Sequence, residues 1–228
     1  MGNALMTSRA DPSAKPRAPL SRERVLRAAI ALADTAGIAS LTMRKLGQKL
    51  RVEAMSLYNH VANKDDILDG IVDLVFSEIA MPSGRAHWKT AMRQRAISAR
   101  EVLLRHPWAI GLLESRVTPG PATLRHHDAV IGSLRKAGFS IGMAAHAYSV
   151  MDSYIYGFAL QQTTLAVDMS KQPSEMAESF LRQLPTNDYP HLAEMITEHA
   201  MKPGYNYADE FEFGLDLILD SLERRLRR

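Results

Sequence analysis

Residues 41–61 read LTMRKLGQKLRVEAMSLYNHV and contain two short apolar repeats. Leu46 and Leu50 lie one helical turn apart, and after the four residues RVEA the spacing resumes with Leu57 and Val61. Two short helices joined by such a turn have the dimensions of a helix-turn-helix. With Leu57 and Val61 facing inward, the polar side chains between them face outward, where they can read base edges or bind phosphate.

Helical spacing continues on both sides of this stretch, and the alternation typical of strands is missing, so the sequence predicts an all-α fold. A first helix is expected to begin near Ser21, a suitable N-cap, and to end at Gly37. Asn63 is expected to cap a fourth helix, whose first turn carries Asp65 and Asp66 where the helix dipole favours negative charge.

The break MPSG at residues 81–84 separates these helices from the larger remainder of the chain. We expect a flexible basic arm at 1–20, a three-helix helix-turn-helix DNA-binding domain at 21–67, and a helical effector-binding and dimerisation domain at 68–228. Within the last of these, the polar, proline-containing stretch 164–190 is expected to be a connection with one short helix.

Composition bounds the possible functions. The chain has 228 residues, 46% of them hydrophobic, which is enough to fill a substantial core. It has no Cys, which excludes disulfides and Cys-bound zinc and fits a reducing compartment. No apolar run approaches the roughly 20 residues needed to cross a bilayer, and the N-terminus lacks the apolar stretch of a signal peptide. We therefore expect a cytoplasmic protein with no membrane partner.

Charge is distributed unevenly along the chain. Residues 1–67 carry 11 Lys and Arg against 6 Asp and Glu, whereas the remainder carries 17 against 19. A basic first third is typical of a module that binds a polyanion such as DNA, although a solvated basic surface alone would look similar.

The segment LTMRKLGQKLRVEAMSLYNHVANKDDILD at 41–69 resembles the DNA-binding domain of the tetracycline repressor (TetR) family, including an LYxHVxNK pattern. Segments 88–107, 138–160 and 211–226 are similar to core segments of the C-terminal domain in the tetracycline repressor branch of that family. The resemblance implies a ligand-responsive regulator, usually a repressor, that binds a palindromic operator in double-stranded DNA as a homodimer. It also implies release when a small, largely apolar effector binds. The positions that it assigns to DNA contact are Arg44, Ala54, Met55, Ser56, Tyr58, Asn59, His60 and Lys64.

Arg51 departs from the family pattern, which often has Gly at this position of the turn. A side chain at a residue with positive φ costs on the order of 1 kcal/mol. Either the turn is reshaped, or Arg51 offsets the strain by contacting a phosphate.

Helices at about 140–163 and 208–226 are apolar over most of their circumference, so we expect them to form a two-fold homodimer interface. An effector of unknown identity is expected inside the larger domain, where ordinary core packing is the alternative role for each candidate. Tetracycline with magnesium is not expected as the effector, and no cofactor or metal is expected. The candidate effector contacts are Trp88, Met92, Trp108, Leu112, Leu113, Met151, Asp152 and Tyr154.

Two other classes of protein are alternatives to a ligand-responsive regulator. An enzyme built on the eight His is not expected, because His126 and His127 diverge on a helix and no HExxH spacing occurs. The second is a helical architectural DNA-binding protein without an effector, whose larger domain would have a filled core and no cavity.

Overall fold

The computed structural model describes residues 19–83, 86–113, 115–116, 118–167 and 173–227, so nearly all of the predicted basic arm lies outside the described residues. The described residues form helices and no β-strand, which confirms the all-α prediction. A 3₁₀ turn (Ile38–Ser40) follows the first helix and a π-helical turn (Ile196–Ala200) follows the tenth. The helices are α1 (Arg22–Ala36), α2 (Met43–Leu50), α3 (Ala54–Leu57), α4 (Lys64–Glu78), α5 (Trp88–Arg105), α6 (Trp108–Leu113), α7 (Pro121–Lys136), α8 (Ile141–Val167), α9 (Pro173–Gln183), α10 (Pro190–Met195) and α11 (Asp209–Leu226).

Three helices of the N-terminal part, α1, α2 and α4, begin at side chains that cap them, whereas α3 has no side-chain cap. The side-chain oxygens of Ser21, Thr42 and Asn63 each accept a hydrogen bond from the backbone N–H three residues later, at 3.3, 3.2 and 2.8 Å. Gly37 ends α1 with φ of 74°. The predicted caps at Ser21 and Asn63 and the predicted stop at Gly37 are therefore confirmed.

Helix α4 takes part in both hydrophobic cores of the protein. Ile67 and Ile71 pack with the buried residues of α1, α2 and α3. One turn later, Val72 and Phe76 pack with the larger core that is formed mainly by α5, α7, α8 and α11. One continuous helix therefore joins the head to the larger domain, while the domain boundary after residue 67 stays a prediction.

Helix α8 crosses the larger domain and packs against α5, α7 and α11. It begins after Ser140, whose hydroxyl accepts from the Met143 N–H at 3.2 Å. It continues four residues past the predicted end at 163, and the hydroxyls of Thr163 and Thr164 donate to carbonyls one turn earlier in the same helix. The predicted connection at 164–190 is therefore partly helical: its first residues belong to α8, and α9 lies within it. Residues 168–172 lie outside the described part of the chain.

Both α8 and α11 leave apolar side chains exposed. Val150 and Leu160 on α8 are 43% and 54% exposed, Ile141 in its first turn is 65% exposed, and Phe213 and Leu217 on α11 are 66% and 56% exposed. Val150 lines one groove together with Ile218 of α11, so the exposed faces of the two helices adjoin there. In the described part of the chain, no helix is long and apolar enough to cross a membrane.

Candidate DNA interface and effector cavity

The turn between α2 and α3 keeps a left-handed residue although that residue is not glycine. Arg51 has φ 57° and ψ 48°. The Val52 N–H donates to the Gly47 carbonyl at 3.0 Å, and a β-carbon on Gly47 would lie only 2.9 Å from the Val52 oxygen. Of the two possibilities left by the sequence, reshaping of the turn is therefore excluded.

The predicted reading surface lies on and just after α3. Leu57 and Val61 are 0% and 3% exposed and pack into the head, as predicted. Met55 and Tyr58, in contrast, are 74% and 45% exposed. The backbone tightens after Leu57, whose carbonyl accepts from the His60 N–H at 2.9 Å. The regular helix is thus only four residues long, but its outward side chains remain on one side.

A paired arginine and aspartate hold the reading surface against α1. Arg22 donates two hydrogen bonds to the carboxylate of Asp66, at 2.8 and 2.7 Å. Asp66 also accepts from the Ala62 N–H at 2.9 Å, and the bond from Arg22 lowers the pKa of its carboxyl group. Arg22 is therefore engaged within the protein, and α3 and the start of α4 are fixed relative to α1.

A second polar cluster connects the head to the larger domain. The indole N–H of Trp108 donates to the Asp34 carboxylate at 2.6 Å, and the same oxygen lies 2.8 Å from Nδ1 of His106. Nε2 of His106 lies 3.4 Å from the carboxylate of Glu78, near the end of α4. Helix α1 is therefore attached to the α5–α6 junction and, through His106, to the end of α4.

The larger domain encloses a cavity of about 440 Å³ between α4, the α6–α7 segment, α7 and α8. An edge-on aromatic row, in which His127 lies between Phe76 and Tyr148, forms part of its lining. Exposed Ser149 and Ser153 lie at its rim. The lining side chains are Val72, Phe76, Leu113, Pro119, Tyr148 and Tyr156 among the less polar, and Asp69, Arg116, Thr118, Thr123, His127, Ser149, Asp152 and Ser153 among the more polar, together with Gly120.

Polar contacts fasten one wall of the cavity to α4. Arg116 donates to the carboxylate of Asp69 and, at 3.3 Å, to that of Asp65. One turn further along α4, Asp73 accepts from the Thr123 N–H at 2.8 Å and thereby caps α7. A β-carbon on Gly120 would lie 2.3 Å from Cγ of Asp73, so only glycine permits this close approach.

The floor of the cavity contains a buried ion pair. Nη1 of Arg95 lies 2.6 Å from the carboxylate of Asp152, and the two residues are 1% and 6% exposed. The Nε–H of Arg95 donates to Nε2 of His126 at 3.0 Å. Burial and the neighbouring Arg95 charge lower the pKa of His126 to about 4. The Tyr156 hydroxyl donates to Asp152 at 3.3 Å, and its pKa is raised, mainly by burial.

A family model described as "Tetracyclin repressor-like, C-terminal domain" matches residues 81–226. The chain belongs to the TetR family. It is therefore a DNA-binding transcriptional regulator, and its relatives are regulators rather than enzymes.

Similar TetR-family proteins cover most of the chain. An HTH-type transcriptional regulator of Saccharopolyspora erythraea is 34% identical over 76% of this chain and 74% of that protein. The HTH-type transcriptional repressor DrrR1 of Streptomyces coeruleorubidus is 30% identical over 93% of this chain and 80% of its own length. The crystal structure of ActR of Streptomyces coelicolor, a TetR family protein in complex with actinorhodin, has a TM-score of 0.76 at 25% identity, covering 92% of this chain and 100% of that chain.

The residues that the TetR resemblance assigns to DNA contact share one end of the molecule. They come from the start of α2, from α3 and the turn after it, and from the start of α4. Their role in DNA contact stays a prediction. The exposed ones are Arg44, Met55, Tyr58, Asn59 and Lys64, and the half-buried ones are Ala54, Ser56 and His60.

Of the eight candidate effector contacts, only Leu113 and Asp152 line the cavity between α4 and α8. Met92 and Met151 are fully buried in the hydrophobic core, and Leu112 packs against that core. Their apolar spacing on a helix indicates burial but does not separate core from cavity.

The three aromatic candidates lie in other contacts. Trp88 packs edge-on against Phe139 and lines a separate cavity of about 710 Å³ near the α4–α5 loop. Trp108 is turned toward α1 by its hydrogen bond to Asp34. Tyr154 is turned toward α11, because its hydroxyl donates to backbone carbonyls there at 3.1 Å.

Most residues of the cavity lining are absent from the set predicted from the sequence. Tyr148, Asp152 and Tyr156 recur at four-residue spacing, which places them on one face of α8, and this signal was available in the sequence. Asp69 and Arg116 carry no such signal, because their pairing depends on how α4 packs against the α6–α7 segment.

Proposed function

We propose that this chain is a ligand-responsive repressor that binds a palindromic operator as a homodimer and leaves it when an effector occupies the cavity between α4 and α8. A single observation carries the proposal. Helix α4 begins beside the reading surface at Lys64, and its middle turns, at Asp69, Val72 and Phe76, line the cavity. A ligand in the cavity and DNA at the head therefore touch the same rigid element. The finding that ActR was solved with actinorhodin supports a ligand-binding role for the corresponding domain of this chain.

The exposed apolar face of α8 and α11 supports the dimer. Large apolar side chains at this density, Phe213 and Leu217 among them, are typical of a surface that a partner covers. A two-fold pairing of this face would place the two reading surfaces at one side, about 34–36 Å apart for adjacent major grooves. The expected operator has two half-sites roughly one helical turn apart.

Ligand release would operate through the contacts of α4. An effector that moves the α6–α7 segment would pull on Asp69 and Asp73, and α4 would transmit the movement to α3. Coupling of about 1–3 kcal/mol would change operator affinity roughly 5- to 150-fold. The alternative, an architectural protein without effector, is disfavoured because the larger domain has a cavity beside its hydrophobic core.

The dimer and operator are tested by selecting bound duplexes from a random pool with the purified protein. The expected consensus is a palindrome. Leu217→Arg, which puts a charge on the exposed face of α11, should produce monomers in sedimentation and weaken operator binding at least tenfold. Leu124→Arg is the matched control, since Leu124 on α7 is similarly exposed, 53% against 56% for Leu217. Full binding by the Leu217 variant, or a consensus without two-fold symmetry, would contradict the proposal.

The coupling is tested with compounds that raise the melting temperature of the protein. Arg116→Gln removes the bond from the cavity wall to Asp69, so operator affinity should stay within a few-fold while release by the compound weakens. Arg105→Gln is the control, because it also removes an arginine bond to a carboxylate of α4, that of Glu78 at 2.7 Å, but at a more exposed position outside the cavity. Unchanged release in the Arg116 variant, measured by fluorescence anisotropy of a labelled operator, would count against transmission through α4.

A further inference from the structure

The buried ion pair at the cavity floor is oriented. Asp152 lines the cavity, whereas its partner Arg95 does not reach the cavity surface. The pair therefore presents its negative end to a bound molecule. Asp152 is only 6% exposed and has one further side-chain neighbour, the Tyr156 hydroxyl at 3.3 Å. A carboxylate oxygen with spare lone pairs in such a site accepts strongly from a ligand N–H or O–H.

The opposite wall carries more carboxylates than cations. Asp65, Asp69 and Asp73 follow one face of α4, and the guanidinium of Arg116 lies against the first two. Of these three carboxylates only Asp69 lines the cavity, where Arg116 pairs with it. With Asp152 on the other side, the lining carries two carboxylates against one guanidinium.

The two imidazoles beside the cavity add no positive charge that would offset the carboxylates. His127 lines the cavity, and burial lowers its pKa; His126 lies behind it with a pKa of about 4. Both rings are therefore neutral near pH 7. Among the described residues, no other Lys or Arg lines the cavity besides Arg116.

The rest of the lining suits a flat, unsaturated molecule. Phe76, His127 and Tyr148 meet edge to face with ring centroids 5.7 and 5.3 Å apart, and Val72 and Leu113 add apolar surface. Aromatic walls attract both ring systems and cations.

We propose that the effector is a neutral or positively charged aromatic molecule that donates a hydrogen bond or an ammonium group to Asp152, and that acids are excluded. This inference rests on the proposed effector role of the cavity. An anion would face the buried carboxylate of Asp152, where like charges repel strongly. Asp69, whose side chain is 37% exposed, adds a weaker repulsion that solvent screens. A hydroxyl or ammonium group would instead meet an acceptor that is held in place by Arg95.

The experiment uses three fluorescent probes that share one ring system: aminomethylanthracene, hydroxymethylanthracene and anthracenecarboxylate, which are respectively cationic, neutral and anionic near pH 7. Binding to the full-length protein is measured by fluorescence titration, and operator release by anisotropy. The ammonium probe should bind at least about tenfold more tightly than the carboxylate, which is the effect of one charge-assisted hydrogen bond. The hydroxyl probe should lie between them.

Three variants tie this order to Asp152. Asp152→Asn should reduce the preference for the ammonium over the hydroxyl probe at least about fivefold, since only a neutral acceptor remains. Asp152→Asn alone leaves the Arg95 charge buried without its counter-ion. The double variant Arg95→Gln with Asp152→Asn removes both charges together, and the same loss of preference is expected. Asp216→Asn, a change of the same kind in an ion pair with Arg93 outside the cavity, should leave the preference unchanged.

Each outcome has a separate meaning. Binding of the carboxylate as tightly as the ammonium, or an unchanged preference in both Asp152 variants, would overturn the assignment of ligand class while operator binding and release by other compounds stand. Binding of none of the three probes, with specific operator binding intact, would also overturn the assignment of ligand class. The proposed function fails by different measurements: the absence of a specific operator, or unchanged operator affinity with every compound that raises the melting temperature.

Discussion

Replacing Arg51 with glycine changes the turn of the helix-turn-helix in two separable ways. In the part of the chain that the structure describes, Arg51 is the one residue other than glycine with positive φ. A side chain in the left-handed region destabilises the fold by about 1–2 kcal/mol. Glycine removes this strain but costs about 0.5–1 kcal/mol of its own, because it loses more conformational entropy on folding. The free energy of unfolding of Arg51→Gly is therefore expected to rise by roughly 0.5 kcal/mol.

The same substitution removes a charge from the DNA side of the head. Arg51 is exposed in the turn that leads into α3, and the strain it tolerates is explained if its guanidinium binds an operator phosphate. Each phosphate contact contributes about −0.9 to the slope of log K against log salt. A dimer has two copies of Arg51, so the slope should flatten by about 1.8 in the variant.

The assay is anisotropy of a labelled operator between about 50 and 200 mM salt, together with urea unfolding. Arg51→Ala is the matched control, because it removes the same charge but keeps a β-carbon at φ 57°. Both variants should flatten the salt slope equally, and only the glycine variant should gain stability. A salt slope unchanged in both variants would refute the phosphate contact, and equal stabilities of the two would refute the strain.

Three further predictions concern the larger domain. The pKa of His126 is lowered from 6.5 to about 4 in the folded protein, so the unfolded state binds the proton first as the pH falls. Stability at pH 4.5 should be about 2 kcal/mol below that at pH 6.5 by urea unfolding, and His126→Gln, which keeps an acceptor, should lose this part of the pH dependence. Gly214→Ala places a β-carbon 2.2 Å from the Tyr154 hydroxyl and should cost about 1–3 kcal/mol, whereas Gly157→Ala, into open space, should not destabilise the helix. Trp108→Phe removes the indole N–H that donates to α1 and should cost about 1 kcal/mol; identical unfolding curves for variant and parent would contradict this.

The head could be predicted from the sequence because its decisive interactions are local. Ser21 and Asn63 each cap a helix through a bond that spans three residues, and Gly37 ends a helix through its own φ. Leu57 and Val61 are fixed by spacing on a single short segment. In each case the residues that decide the geometry are neighbours in the chain.

The cavity could be predicted only in part because it depends on distant contacts. Asp152 is predicted as a polar anchor for an effector, but its partner Arg95 lies far away in the sequence, on α5, and the pairing has no local signal. Met92 and Met151 have the same apolar pattern as a cavity lining, yet they are completely covered by neighbouring helices. Whether an apolar side chain meets another side chain or empty space depends on the fit between helices.

The hydrogen bond from Trp108 to Asp34 also limits how this protein can be recombined with its relatives. A hybrid regulator that joins a foreign reading head to this effector domain would lose the acceptor for the indole N–H unless a carboxylate is kept at position 34 of α1. The same hybrid must take α4 from the effector side, since Asp69 and Asp73 belong to the cavity wall although they follow the reading surface directly in the chain. An exchange point between α3 and α4 therefore requires two further positions of α1 to be kept, Asp34 for Trp108 and Arg22 for Asp66.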